Sequence, residues 1–177
     1  MDPTRHPRQH LVMARLARVV APGIPHHVTQ RGNRRQQVFF SDDDYALYRG
    51  YLWQGRFASC PMDEAHLLAS ARYVELNPVR ARLARRARDW RWSSARAHLV
   101  GEDDDLVQVH PLLALAPDWS DFLAEELNDA DHEAIRAGER TGRPLGSTRF
   151  VTQLETRLDR PLARQKPGPK PSTELRS

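Results

Sequence analysis

Short apolar runs, each closed by a turn signal, alternate along this chain with longer stretches of helical period. Pro22, Gly23 and Pro25 form a turn cluster. His26-His27-Val28-Thr29-Gln30-Arg31 follows, contains β-branched residues and stops at Gly32-Asn33, so it reads as a strand. Gln37-Val38-Phe39-Phe40 is a second short apolar run. Ser41-Asp42-Asp43-Asp44 is a helix start, a Ser cap followed by acids where the macrodipole favours them. Tyr45, Leu47, Tyr48, Tyr51 and Leu52 carry helical spacing over 42–52. Trp53-Gln54-Gly55-Arg56-Phe57 comes next with no linker and reads as a strand or turn. Pro61-Met62-Asp63-Glu64 opens another helix, with Asp63 as its cap. Leu67, Leu68, Ala71 and Val74 give it an apolar side, and His66, Ser70, Tyr73 and Asn77 recur beside that side as a polar stripe. Pro78 disfavours helical geometry at Asn77, which predicts a break or kink there.

The second half is mostly helical. Ser93 or Ser94 caps a short helix through His98, and further helices are expected over 107–115, 120–127 and 129–138. Residues 141–165 resume a helical pattern with Phe150, Val151, Leu154 and Leu158 at core spacing. Lys166-Pro167-Gly168-Pro169-Lys170-Pro171 can form neither helix nor central strand and reads as a flexible basic arm. Residues 1–11 read as a disordered lead, and the chain contains no internal repeat.

Composition narrows the class. The 177 residues suit one domain, or a small domain with appendages. No apolar run reaches the roughly 18 residues a membrane span needs, so no membrane partner is expected. The polar first ten residues are not a signal peptide, and the single cysteine, Cys60, excludes an internal disulfide scaffold. A reducing, cytoplasmic compartment is the expectation. The formal net charge is only +4, but the charge is segregated. Residues 71–100 carry eight Arg against two acids, whereas 101–140 carry twelve acids against two Arg. Of 27 basic residues only Lys166 and Lys170 are lysine, a bias toward planar, bidentate phosphate contacts. A polyanion-binding protein with an acidic flank and a merely well-solvated surface both fit this pattern.

Four groupings can carry chemistry. Tyr73 stands on the polar stripe with His66, Ser70 and Asn77, and a phenol can attack a phosphodiester; a helix tyrosine packed at the core edge gives the same spacing. Arg80, Arg82, Arg85 and Arg86, followed by Trp90 and Trp92, suit phosphate contact with base stacking; a solvated face with two core tryptophans does as well. Arg31, Arg34 and Arg35 around Gly32-Asn33 can hold a phosphate or form an ordinary turn. The Lys166–Lys170 arm can lie in a minor groove or stay a plain tail. The histidines build no metal motif, since His26 and His27 point to opposite faces of a strand and the rest are isolated.

Several phrases in order are more specific. They are His27-Val28-Thr29-Gln30-Arg31-Gly32-Asn33-Arg34, Val38-Phe39-Phe40, Trp53-Gln54-Gly55-Arg56-Phe57, Arg72-Tyr73-Val74-Glu75-Leu76-Asn77-Pro78-Val79-Arg80-Ala81, and Trp90-Arg91-Trp92-Ser93-Ser94. Together they resemble the REP-associated tyrosine transposases, a branch of the single-tyrosine transposases that move DNA as a single strand. The resemblance covers 12–100, leaving 101–165 as a helical extension and 166–177 as a basic disordered tail. It implies an α+β fold, a ferredoxin-like antiparallel sheet backed by helices. It also implies that Tyr73 is the nucleophile on single-stranded hairpin DNA and that Asn77 ligates Mg²⁺ or Mn²⁺. Arg31, Arg34, Arg35, Arg56, Arg80, Arg82, Arg85, Arg86, Lys166 and Lys170 become DNA contacts, in a monomer or homodimer at the bacterial nucleoid.

The departure from the family pattern is large. The family's His-hydrophobic-His strand, which supplies two metal ligands, is missing between the 42–52 helix and Trp53. The pattern looks like an internal deletion near 52/53, with Arg49-Gly50-Tyr51-Leu52 as the scar. Asn77 alone cannot hold a hard divalent cation tightly, and central strands are lost, so a truncated sheet and negligible cleavage are expected. Two further readings stand beside the transposase: a non-enzymatic DNA-binding remnant or regulator, and an interaction protein whose acidic 101–140 segment docks a partner.

Overall fold

A computed structural model describes residues 19–29, 57–105 and 107–163. The fold is mixed α+β, a two-stranded antiparallel sheet with six α-helices among the described residues. Strand β1 is His26–Thr29 and β2 is Ala58–Pro61, paired His26 to Pro61 and Thr29 to Ala58. The helices are α1 (Glu64–Arg80), α2 (Ala95–Val100), α3 (His110–Leu113), α4 (Trp119–Ala124), α5 (Asp129–Thr141) and α6 (Thr148–Leu158).

The expected turn at 22–25 forms, with Gly23 at φ 75° supplying the left-handed residue. The first strand begins where expected and, within the described residues, runs to Thr29. Its two histidines diverge as the pleat requires. His26 Nδ1 donates to the Ile24 carbonyl at 2.7 Å, whereas His27 is buried and meets Glu139 at 3.3 Å. Strand β2 falls later than the Trp53–Phe57 phrase: Phe57 is outside it, and residues 53–56, with Arg56, lie outside the described residues. Also outside them are the 42–52 helix, the 52/53 junction, Arg31, Arg34, Arg35, Lys166 and Lys170.

Two small apolar cores organise the chain. Cys60, Met62, Ala69, Ile135 and Leu145 form the first, with Leu67 and Tyr73 packed against it. Gly138 brings α5 close, because a Cβ there would stand 3.0 Å from both Cys60 Sγ and the Leu145 methyls. Burial and the nearby Glu139 push the Cys60 thiol up to about 12, which makes it an inert packing group. The second core joins Val19 and Ala21 to Leu154 and Leu162, with Phe150, Val151 and Leu158 around them. The apolar spacing read over 150–158 is therefore core spacing, and it covers the segment that precedes β1.

Helix α1 departs from its expected pattern in two ways. It passes through Pro78 and ends at Arg80, with no break at Asn77. Proline removes only the hydrogen bond to the carbonyl of Val74, which is 47% exposed, and only two helical residues follow it. The polar stripe also does not face water throughout. Ser70 is buried, its hydroxyl directed to Met62 Sδ at 3.1 Å, while Val74 from the expected apolar side is exposed.

Candidate functional site

Helix α1 starts at a well-made cap. Asp63 accepts from the His66 N–H at 3.1 Å, the His66 ring at 2.7 Å and the Ser147 N–H at 2.8 Å. Burial opposes its charge, but these hydrogen bonds outweigh burial and hold the carboxyl below its ordinary range. The cap and the first core fix the helix axis, and so fix where Tyr73, Asn77 and Arg80 emerge.

Those three residues meet. Tyr73 is half-buried on the first core. The Arg80 guanidinium lies 4.6 Å from the centre of its ring, within cation–π range. Arg80 Nη2 donates to Asn77 Oδ1 at 2.8 Å. A fourth member comes from α5: the His132 ring stands edge-on to Tyr73, centroids 5.1 Å apart. Arg80 Nη1 contacts that imidazole at 2.8 Å (Nε2) and 3.2 Å (Nδ1). Burial first, then the Arg80 and Arg136 guanidinium groups, hold His132 below its ordinary range against the opposing pull of Asp129 and Glu133. The neutral imidazole this favours at pH 7 accepts the Arg80 hydrogen bond.

Beside this cluster lies an open groove of about 290 Å³, near the low end of the roughly 300–1,000 Å³ typical of ligand pockets. Trp90 and Trp92 line it with Leu83, Val74 and Asn77, and Arg91 covers the Trp92 ring at 4.4 Å. Asn77 thus borders both the groove and the Tyr73 cluster. Arg82 and Arg85 are exposed nearby in sequence, whereas Arg86 is paired with Asp89 through two hydrogen bonds of 2.8 and 3.0 Å.

Another flank of α1 carries a cluster that the sequence pattern did not reveal. Glu75 is 1% exposed. Its Oε1 accepts from Ser94 Oγ at 2.6 Å and His98 Nδ1 at 2.7 Å, and its Oε2 from Trp119 Nε1 at 2.8 Å. His98 stacks on Trp119 with centroids 4.5 Å apart, and its Nε2 is buried without a hydrogen-bond partner among the described residues. Neither Glu75 nor His132 carried a local signal, because the partners that define them are 19 to 59 residues away along the chain.

The family's divalent metal does not fit the described residues. Of the ligand set implied by the resemblance the sequence holds only Asn77, and its oxygen faces a guanidinium. No group of three His, Cys, Asp or Glu converges on a common point among the described residues. No helix among them is long and apolar enough to cross a membrane. No protein-family model matches the chain, and neither the curated proteins nor the solved structures contain a significant match.

Proposed function

We propose that this chain descends from the REP-associated tyrosine transposases and binds single-stranded hairpin DNA at the bacterial nucleoid, with its strand-cleaving chemistry impaired. On this reading the β1–β2 pair is what remains of a ferredoxin-like sheet, and Tyr73 is the family's nucleophile. One observation carries the proposal: Tyr73, Asn77 and Arg80 share successive turns of α1 beside a tryptophan-lined groove. A phenol, a guanidinium and an open aromatic surface are the groups that a phosphodiester and an unstacked base require. Arg80 at the end of that helix and the exposed Arg82 and Arg85 that follow it supply charge, and Trp90 and Trp92 line the groove. In the parent activity the Tyr73 oxygen would bond to phosphorus as the phosphate's bond to a deoxyribose oxygen breaks and a proton passes to that leaving group. On this reading binding outlasts cleavage, because the family's His-hydrophobic-His strand is missing from the sequence and the Asn77 oxygen is taken by Arg80.

A labelled DNA hairpin with a short single-stranded foot tests this. Affinity should fall linearly in log–log form with salt, by about 0.7–0.9 per phosphate neutralised, and exceed that for a blunt duplex of equal length. Incubation with Mn²⁺ should leave the strand intact for wild type and Tyr73→Phe alike. Robust nicking abolished by Tyr73→Phe would restore full transposase chemistry. Absence of salt-dependent binding would remove the DNA reading.

A further inference from the structure

The geometry points to Arg80 as the anchor of a phosphate-binding site that works without a divalent metal, built from its own guanidinium, Tyr73 and His132 and positioned by Asn77. This inference rests on the DNA reading above and deepens it by naming the group that takes the phosphate.

The arginines of α1 and the turn after it are spent differently. Arg72 donates to Glu125 at 2.6 Å and to the Phe122 carbonyl at 2.8 Å, and Arg86 is forked onto Asp89. Both charges are matched by a carboxylate. Arg80 has no carboxylate within ion-pair distance among the described residues. Its two contacts are neutral: an amide oxygen and an imidazole that its surroundings keep uncharged. A guanidinium has five N–H donors. Asn77 takes one and the single acceptor nitrogen of neutral His132 another, so three remain. An exposed arginine normally loses side-chain entropy when it is fixed, but here two hydrogen bonds and the Tyr73 ring already hold the fork. A held cation with unspent, coplanar donors is complementary to a phosphodiester oxygen pair.

The same contacts bear on the metal. The guanidinium 2.8 Å from Asn77 Oδ1 sets a permanent positive charge against the oxygen a divalent ion would need. Asn77 is therefore a positioning residue for Arg80, and Arg80 holds the positive charge beside Tyr73. His132 widens the site: as a neutral ring it adds no repulsion to Arg80, and it packs T-shaped against the Tyr73 ring.

Two measurements test the assignment. In the first, the DNA hairpin is titrated at constant ionic strength in EDTA, Mg²⁺ or Mn²⁺. Wild type should bind within about twofold across the three. Arg80→Gln should weaken binding roughly ten- to a hundredfold in all three, and Arg80→Lys should fall between, since charge is kept and the fork lost. Arg149→Gln on α6, an equal loss of charge outside the cluster, should stay within about threefold of wild type. In the second, inorganic phosphate in EDTA is titrated into ¹⁵N-labelled protein, and the His132 ring should shift saturably in wild type but not in Arg80→Gln. If EDTA abolishes hairpin binding, or Arg80→Gln binds like wild type, the inference is overturned while the DNA reading stands. If wild type ignores the hairpin yet phosphate shifts His132, the anion site stands and the DNA reading falls. If neither ligand registers, both fall. Circular dichroism of each variant separates these outcomes from misfolding.

Discussion

Helix α1 carries two polar clusters that solve opposite problems. Around Glu75 every group is turned inward: two carboxylate oxygens receive three donors, and the carboxylate, the His98 ring and the Trp119 indole are almost fully removed from water. Around Arg80 a cation is held by two neutral partners, its residue is exposed, and donors remain unspent. A buried network whose carboxylate oxygens are all occupied, with only His98 Nε2 left without a partner among the described residues, serves to fix α2 and α4 against α1. A fixed but unsatisfied charge at the surface costs little in water and is ready for a counter-ion. The contrast separates a polar cluster that fixes the architecture from one that faces solvent, though both rest on one helix.

Mutation should break that symmetry most forcefully at Glu75. Glu75→Ala leaves the Ser94 hydroxyl, the His98 ring and the Trp119 indole N–H buried without an acceptor. Leaving a buried donor unsatisfied costs roughly 1–3 kcal/mol, so three such losses lower Tm by about 10 °C or more in a chain of this size. Arg80→Gln, at an exposed site, should stay within about 0.5 kcal/mol of wild type. Urea denaturation of both variants checks the pair. Equal losses would mean that the two clusters are not distinct in kind.

The response to pH sharpens the comparison at intermediate scale. His132 is held below its ordinary value by burial, Arg80 and Arg136, against Asp129 and Glu133, with Tyr73 packed on its edge. Its unfolded value is near 6.5, so the unfolded chain takes up the proton first. The stability tied to neutral His132 is therefore fully present above about pH 6.5 and is lost as pH falls through the lower folded-state value. His132→Gln should flatten the fall in the urea midpoint between about pH 7.5 and pH 5. An unchanged slope would show that His132 titrates alike in both states and is not part of the cluster.

How much of this was legible in the sequence follows the range of the interactions. The Asp63 cap, the turn at Gly23 and the apolar spacing of Phe150, Leu154 and Leu158 are local, and the pattern of residues shows them. So is the one-turn relation of Tyr73 to Asn77. The burial of Ser70 and the exposure of Val74 are set instead by what packs on each side of α1, with Met62 covering the first and the open groove flanking the second. Strand β2 is rich in neither β-branched nor aromatic residues, and its register comes from pairing with β1 some 30 residues earlier. His132 reads as an isolated histidine until α5 folds back against Tyr73. The resemblance to the tyrosine transposases singles out Tyr73 and Asn77 on α1, and the structure adds the Arg80 guanidinium that contacts both.

The smallest expected effect is the most discriminating, because it opposes stability to binding at one residue. Helix α1 closes with the Arg82 N–H on the Val79 carbonyl at 2.9 Å and the Leu83 N–H on the Pro78 carbonyl at 2.8 Å, which places Arg82 at φ 60°. That left-handed position after a helix is where glycine is ordinarily found, since a Cβ there costs about 1 kcal/mol. Arg82→Gly should therefore raise stability by up to about 1 kcal/mol in urea denaturation while reducing the magnitude of the salt slope of hairpin binding by about one. Arg82→Ala keeps the strain and loses the charge, so it should weaken binding equally without the gain in stability. A glycine variant that is more stable and binds DNA as well as wild type would remove Arg82 from the DNA contacts proposed above and leave Arg80, at the end of α1, and the exposed Arg85 beyond it.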